Sequence, residues 1–152
     1  MLSIAEIQSA AEALLKSRFT DTQTVYRDLA PKGFARPSFL VECGPVKMED
    51  AGCGMLDITA TVTVTSFLPV DDYHNTQITA LQTRMMSVQE LFAVGYLEVG
   101  GRALHVTGNT GDYGFDFASV TLTLSYADDR PGEEAPDAAM GEVRTTIKIQ
   151  EV

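Results

Sequence analysis

Apolar residues recur with the period of an α-helix at the start of the chain. From Ile4 to Arg18 they lie three and four residues apart, which predicts an amphipathic helix with one buried stripe. Ser3 and Glu6 have the spacing of a capping box, in which each side chain binds a backbone N–H group that the helix start leaves unpaired. The chain is therefore predicted to open with a helix over residues 4–18.

A second helical stripe lies in the middle of the chain. Its apolar members have the same spacing, and they are Ile78, Leu81, Met85, Val88, Leu91 and Phe92. Asp71 or Asp72 is the expected cap, and Gly95 is expected to end the helix. A methionine in such a stripe usually fills a core, so the stripe indicates no ligand site.

Between the two helices the pattern changes to the two-residue period of β-strands. Residues 24–29 and 38–48 predict two strands, and Gly44-Pro45 predicts a bulge or an edge position in the second. Residues 49–54 are the expected turn. Residues 55–69 then alternate, so their apolar side chains should face a core while their threonines face water or another surface.

A hairpin and a further strand are predicted after the second helix. The sequence YLEV-GG-RALHV predicts the hairpin, with Gly100 and Gly101 supplying the positive φ angles of its turn. Residues 108–114 are rich in glycine and predict a loop. The run 115–127 predicts a strand whose apolar parity changes near Ala118–Ser119, where we expect a bulge.

The end of the chain differs in composition from the rest. Residues 127–141 are acidic and lack aromatic and β-branched residues, which predicts a flexible linker. Residues 142–152 regain a strand pattern, and this strand either joins its own sheet or adds to the sheet edge of a neighbouring subunit. The predicted organisation is a domain over residues 1–126, the linker and the C-terminal strand.

The order of elements is α-β-β-β-α-β-β-β plus the C-terminal strand. Most connections are hairpins, and hairpins join antiparallel strands. The predicted fold class is therefore α+β, with a mainly antiparallel sheet and two helices packed on one face.

The connector between the first two strands is a candidate docking element. Pro31 and Pro37 restrict its backbone, so it should be stiff. It carries an aromatic side chain, Phe34, and two cations, Lys32 and Arg36. These three residues are candidate contacts with another subunit or with a partner.

The glycine-rich segment 108–114 superficially suggests a phosphate cradle. Such cradles need a following helix, whereas a strand is predicted here, and the segment lacks a GK[ST] sequence. We interpret it as a mobile contact loop, with Asn109, Asp112 and Tyr113 as candidate contact residues.

Catalytic and metal-binding patterns are weak throughout the sequence. His74 and His105 stand apart from any nucleophile, and adjacent acids all lie in predicted turns, a cap region or the linker. Cys43 and Cys53 are too few for a disulfide framework or a complete zinc site. We expect no enzymatic activity, no metal and no cofactor.

The net charge of −10 is unevenly distributed. Residues 1–47 hold six Lys/Arg against five Asp/Glu, while residues 48–152 hold five against sixteen. An acidic chain is poorly suited to nucleic acid, because affinity for the phosphate backbone depends on Lys and Arg. The asymmetry either serves solubility or lets unlike ends of identical subunits attract in a head-to-tail interface.

Signals for membranes and secretion are also weak. No apolar run approaches the roughly 18 to 20 residues that span a bilayer, and the first residues lack the basic start of a secretory signal. We expect the protein to be cytosolic where it is made, and to bind neither membranes nor nucleic acid.

The succession of features along the chain is itself informative. A capped helix ending in KSRF is followed by TVYRDLAPKGFARPSFLVE, by an alternating strand closing in SFLP, and by an amphipathic helix. This succession resembles the tail terminator (tail completion) proteins of tailed bacteriophages and prophages, particularly the small ones of contractile-tail clusters. The resemblance covers about residues 1–126 and involves no catalytic motif.

The resemblance implies a structural role in the virion tail. A terminator of this family is an α+β subunit that forms a ring, usually a hexamer, at the head-proximal end of the tail. The ring stops polymerisation of the tail tube and offers a surface to neck, connector or sheath proteins. The alternatives are another head–tail joining or neck component, or a small α+β enzyme or ligand-binding domain.

Overall fold

A computed structural model describes residues 1–132 and residue 150 of the chain. It contains two helices and six strands in the predicted order α-β-β-β-α-β-β-β. Their bounds are α1 Ile4–Arg18, β1 Val25–Arg27, β2 Ser38–Gly52, β3 Met55–Phe67, α2 Ile78–Phe92, β4 Tyr96–Val99, β5 Arg102–Tyr113 and β6 Phe117–Asp129. The predicted terminal strand, and most of the predicted linker, lie outside the described residues.

The six strands form one sheet in the order β1-β2-β3-β6-β5-β4. Every neighbouring pair is antiparallel except β1 and β2, which run parallel over three residues. The α+β class is confirmed. The parallel pair obliges the connector between β1 and β2 to carry the chain back along the sheet before β2 begins.

Both helices pack on one face of the sheet and enclose a single main core. Helix α1 contributes Ile7, Ala11 and Leu15, and α2 contributes Val88 and Phe92, all nearly inaccessible to solvent. Alternate residues of the strands fill the core from the sheet side. The core residues of the two central strands, β3 and β6, are Ala60, Val62, Val64, Val120, Leu122 and Leu124. The intervening positions form the other face, called here the open face, where threonines of β3 lie opposite serines and threonines of β6.

The first helix is confirmed in detail, whereas the start of the second differs from the prediction. Ser3 and Glu6 form the capping box of α1. Helix α2 begins only at Ile78, and Gln77 at its cap position makes no side-chain cap hydrogen bond. Asp71 instead stabilises a turn upstream, where its carboxylate accepts hydrogen bonds from the backbone N–H groups of Tyr73 and Asn75.

The predicted loop at residues 108–114 is wrong, because β5 continues through Tyr113 and pairs with β6. Glycine at position 111 allows α2 to approach β5 closely. A Cβ atom on Gly111 would lie 2.7 Å from Cγ of Met85 and 2.9 Å from Cδ of Gln89, both on α2. Glycine therefore lets α2 lie directly on this strand, a role that the composition of the segment does not distinguish from loop flexibility.

Two further strand details differ from the prediction. Strand β6 pairs with β3 without a register shift, so the bulge expected near Ala118–Ser119 is absent; the irregularity lies on β5, between Val106 and Gly108. The apolar parity changes because Phe117 faces the open side, opposite Phe67. The turn expected at residues 49–54 shrinks to Cys53 and Gly54, since β2 runs to Gly52, but the bulge at Gly44-Pro45 is confirmed.

A buried carboxylate fastens the start of the chain to the end of β6. The carboxylate of Asp128, whose residue is 5% exposed, accepts a hydrogen bond of 2.9 Å from the backbone N–H of Leu2 and lies 3.1 Å from the Arg102 guanidinium. The hydrogen bond from Leu2 is the main cause that lowers the pKa of Asp128 below its ordinary value, followed by the backbone N–H of Asp129 and by Arg102.

We expect Asp128→Asn to reduce thermal stability at neutral pH by more than it does in acid. The folded-state pKa of Asp128 is depressed, so its contribution is present above the unfolded-state value near 3.9 and is lost as pH falls through the folded-state value. The difference in Tm between wild type and variant, measured from about pH 7 to pH 2, should therefore shrink below about pH 4. A difference independent of pH would contradict this assignment.

Candidate docking platform

Three segments meet at the end of the sheet where β3 finishes and β6 starts. They are the connector 28–37, the segment 68–77 before α2, and the turn 114–116 between β5 and β6, and together they are called here the platform. The connector lies on the open face, where the ring of Phe34 packs on Phe67 with centroids 4.4 Å apart. The hydroxyl oxygen of Tyr26, on β1, also holds the connector, because it accepts a hydrogen bond of 3.0 Å from the backbone N–H of Ala35.

Arg36 joins the three segments. Its guanidinium donates to the backbone oxygens of Leu68 and Asp116 at 2.9 and 3.0 Å, and to the carboxylate of Asp116 at 2.8 Å. Its Cζ atom also lies 4.9 Å from the ring centre of Phe34, a distance at which a cation is attracted to an aromatic face. Since the side chains of Arg36 and Asp116 are each only 13% exposed, the pair is shielded from solvent.

A backbone contact completes the platform. The N–H of Thr76 donates to the carbonyl oxygen of Phe115 at 2.9 Å, which fixes the segment before α2 against the β5–β6 turn. His74 has a positive φ of 62°, and its Nε2 atom lies 3.5 Å from the Asp116 carboxylate. All three segments are thus held by specific bonds.

The platform and the two residues that border it, Ile78 of α2 and Tyr113 of β5, present large apolar side chains to solvent. Tyr73 is 86% exposed, Phe115 63%, Ile78 59% and Tyr113 38%. A hollow of about 330 Å³ lies among the last three of these, with Asn75, Thr76 and Gly114 completing its lining. Exposed aromatic side chains on a fixed backbone are typical of protein-binding surfaces, because they bury much area at little entropic cost.

The structure separates the connector residues that the sequence singles out. Lys32 is exposed, whereas Phe34 is half-buried and Arg36 is engaged in the contacts above. These two side chains hold the connector in place. Leu29, at 83% exposure, is the connector's most exposed apolar side chain.

The other three candidate residues lie on β5, on different sides of it. Asn109 faces α2, where its side-chain amide donates to the carbonyl oxygen of Gln89 at 3.0 Å. Tyr113 is on the same side and its hydroxyl accepts from Gln82 at 3.2 Å. Asp112, paired with Ser119, faces the open side and is exposed.

Sequence reasoning missed the exposed aromatics of the platform. Tyr73 lies outside every helical or alternating stripe, and this was the available signal, since an aromatic that fits no core pattern is free to serve a surface. Phe115 gave no such signal, because it alternates with Phe117 at the start of the predicted strand 115–127. Asp116 as the partner of Arg36 could not have been found, because 80 residues separate the two.

His74 is poorly placed for catalysis. It lies beside a carboxylate, but its side chain is 66% exposed and the nearby hollow is largely apolar. Within residues 1–132 no three His, Cys, Asp or Glu side chains are grouped to hold a metal ion. None of the described helices is long and apolar enough to cross a membrane.

Most cations of the described chain are already paired. Residues 1–132 contain nine lysines and arginines, and seven of them form salt bridges within the chain: Lys16, Arg27, Arg36, Lys47, Arg84, Arg102 and Arg130. Arg18 and Lys32 form none with a residue that the structure describes. Few cations are therefore left unpaired on the surface, although the chain as a whole carries a net charge of −10.

The fold and this surface are those of a small α+β protein without an evident catalytic centre in its described part. The family model for phage tail terminator proteins matches residues 6–136, and the chain belongs to that family. The match extends ten residues beyond the resemblance seen in the sequence. No curated protein matches the chain.

Many solved structures share the fold, and two of them are described here. One is the PVC sheath/tube terminator of an extracellular contractile injection system in its extended state, with a TM-score of 0.55 and 10% sequence identity. The comparison covers 100% of this chain, which spans 65% of that protein's length. The other, for which no function is stated, has a TM-score of 0.50 and 17% identity over 88% of this chain and 100% of its own.

Proposed function

We propose that this chain is a structural, non-enzymatic tail terminator that assembles into a hexameric ring at the head-proximal end of a phage or prophage tail. The ring stops polymerisation of the tail tube and offers its outer surface to neck, connector or sheath proteins. It assembles in the host cytoplasm and remains in the virion tail. The observation that carries the proposal is the match of the tail terminator family over residues 6–136 of the 152-residue chain.

The platform is the surface that we assign to the end of the tail tube. Its segments are fixed by Arg36 and by the contact between Thr76 and Phe115, so the surface is ordered before binding. Lys32 and Tyr113 lie at its rim, while Phe34 and Arg36 position it. Asn109 and Asp112 belong to the flank of β5, which we assign to contacts between subunits.

The test is polymerisation of the tail-tube protein from the same phage or prophage. Purified tube protein is allowed to assemble with and without the chain, and tube lengths are measured by electron microscopy. Equimolar chain is expected to stop elongation and to leave a disc at one end of each tube. Tubes of unchanged length beside a folded, assembled chain would overturn the terminator role.

We expect Phe115→Asp to abolish tube capping while leaving the fold intact. The side chain is 63% exposed, so the change costs little stability, but it places a charge at the centre of the apolar surface. Val94→Asp is the matched control, since Val94 is 66% exposed and lies between α2 and β4, away from the platform. Equal capping by both variants would exclude the platform as the tube contact.

A further inference from the structure

Each side of the sheet carries a length of strand without a neighbour among residues 1–132. On one side β1 pairs only with residues 39–41, so within the described residues the seven residues 46–52 beyond the bulge pair with β3 alone. On the other side β4 pairs only with residues 102–105, so the seven residues 107–113 have β6 as their one neighbouring strand. Such unpaired lengths are templates for a strand from another molecule.

The two free lengths have compatible directions. Strands β2 and β5 run in opposite directions, because three antiparallel pairings separate them. When two copies stand side by side in the same orientation, β2 of one therefore runs antiparallel to β5 of the next. A contact between two different edges is heterologous, and contacts of this kind generate rings when the rotation closes.

One register matches both length and charge. If Lys47 of one copy lies opposite Asp112 of the next, the free lengths 46–52 and 107–113 overlap completely. Both side chains face the open side, and opposite charges at directly opposed strand positions are stabilising. The present partner of Lys47 is Glu49 at 2.9 Å, but both side chains are more than half exposed, so that pair is easily exchanged.

The same register brings exposed apolar side chains together on the helix side. Val46 and Met48 are 36% and 52% exposed on the β2 edge. Val46 would lie opposite Tyr113, and Met48 opposite Gly111, which α2 covers. Apolar contact would therefore add to backbone pairing.

Helix α2 supplies the remaining apolar surface on the β5 edge. Gln82 and Gln89 of α2 both reach this strand, through Tyr113 and Asn109. Met86 lies between them along the helix, on the same flank, and is 51% exposed. It would cover Met48 of the neighbouring copy.

The register also fits a closed arrangement. Within one subunit Lys47 pairs with Thr59, and Thr59 pairs with Ser125 of β6, whereas Asp112 pairs with Ser119 of β6. From one edge of the subunit to the other, the contact positions are therefore displaced by six residues along β6. Along the strands, six residues span about 20 Å, and across the sheet the four strand-to-strand spacings of one subunit span about 19 Å. A displacement of this size over this width means that the strands tilt by about 45° from the axis of a closed assembly. Strands of closed barrels tilt by about 35 to 45°.

We infer that the β2 edge of one copy pairs with the β5 edge of the next, with Lys47 opposite Asp112, and that this pairing makes one continuous sheet around the assembly. The inference rests on the proposed ring and specifies which surfaces form it. The occupant of each edge is thus a second copy of this chain.

The test is a disulfide across the proposed contact. In a full-length chain carrying Cys43→Ser and Cys53→Ser, Lys47→Cys is made in one preparation and Asp112→Cys in another. Mild oxidation should link the two only when they are mixed, because opposed strand positions lie within the 4.4 to about 7 Å between Cα atoms that a disulfide spans. Glu49→Cys mixed with Asp112→Cys is the matched control, on the same face and two residues out of register, and should give a several-fold lower yield.

The outcomes separate the edge pairing from the ring itself. A wild-type ring with no cross-link overturns the edge pairing and leaves the ring intact, and a wild-type monomer overturns both. Self-linking of either variant alone, or equal yields from Lys47→Cys and Glu49→Cys, also overturns it.

A second variant tests whether the C-terminal residues of the same chain, rather than a second copy, cover the β2 edge. Val46→Asp should convert the ring into folded monomers, seen by native mass spectrometry, while Val94→Asp should not. If residues 142–152 of the same chain cover the β2 edge instead, the ring persists in Val46→Asp and the inference fails.

Discussion

Phe39→Ala is expected to destabilise the protein by about 4 kcal/mol, the largest effect of any single change proposed for this chain. Phe39 is fully buried, packs on Phe19 with ring centres 5.3 Å apart, and lies 5.4 Å from the guanidinium of Arg84 on α2. Truncation therefore leaves a cavity at the place where α1, α2 and β2 meet. Chemical or thermal unfolding followed by circular dichroism would measure the loss, with a fall in Tm of about 15 °C.

The platform supplies a matched control for that experiment. Phe115→Ala removes the same atoms from a side chain that is 63% exposed, so its free energy of unfolding should change by less than about 0.5 kcal/mol. Similar losses from the two variants would mean that Phe39 does not occupy the core position described.

Arg36→Ala is expected to cost about 3 kcal/mol, because it leaves the Asp116 carboxylate, which is 13% exposed, without its cation. The change also removes the two hydrogen bonds to backbone oxygens that join the connector to the other two segments. We expect hydrogen exchange to increase in all three segments of the platform while the core strands stay protected. The measurements are unfolding and peptide-level hydrogen exchange.

Two controls distinguish the role of Arg36 from that of charge alone. Lys32→Ala removes an exposed cation of the same connector and should have almost no effect on stability. Arg36→Lys keeps the charge but cannot make the forked contact, so an intermediate loss is expected. An Arg36→Lys variant as stable as wild type would contradict the forked geometry.

Local patterns predicted most of the fold. The capping box and stripe of α1, the alternation of β3, and the turn at Gly100-Gly101 each depend on neighbours in sequence, and each is confirmed. The glycines of segment 108–114 predict a loop but lie in a strand, because glycine signals both turns and close packing. Only the position of Met85 above Gly111 decides between the two, and that is a tertiary fact.

The candidate site was less predictable than the fold. The connector was located from its prolines, but whether Phe34 faces solvent depends on Phe67, which lies in a different strand. The pairing of Arg36 with Asp116 likewise depends on the meeting of three distant segments. Contact surfaces are assembled by folding, so sequence spacing alone identifies their members only where a residue fits no core pattern, as with Tyr73.

The internal pairing of seven cations affects the order in which this protein meets its partners. Copies that all carry surplus negative charge repel one another at distances beyond a few ångströms, so two of them associate slowly in dilute solution, and faster as salt shortens that repulsion. A partner with a positive surface is attracted from farther away than a second copy is. Encounter with such a partner is therefore faster than encounter between two copies, and copies gathered on the partner form their short-range contacts sooner than free copies do.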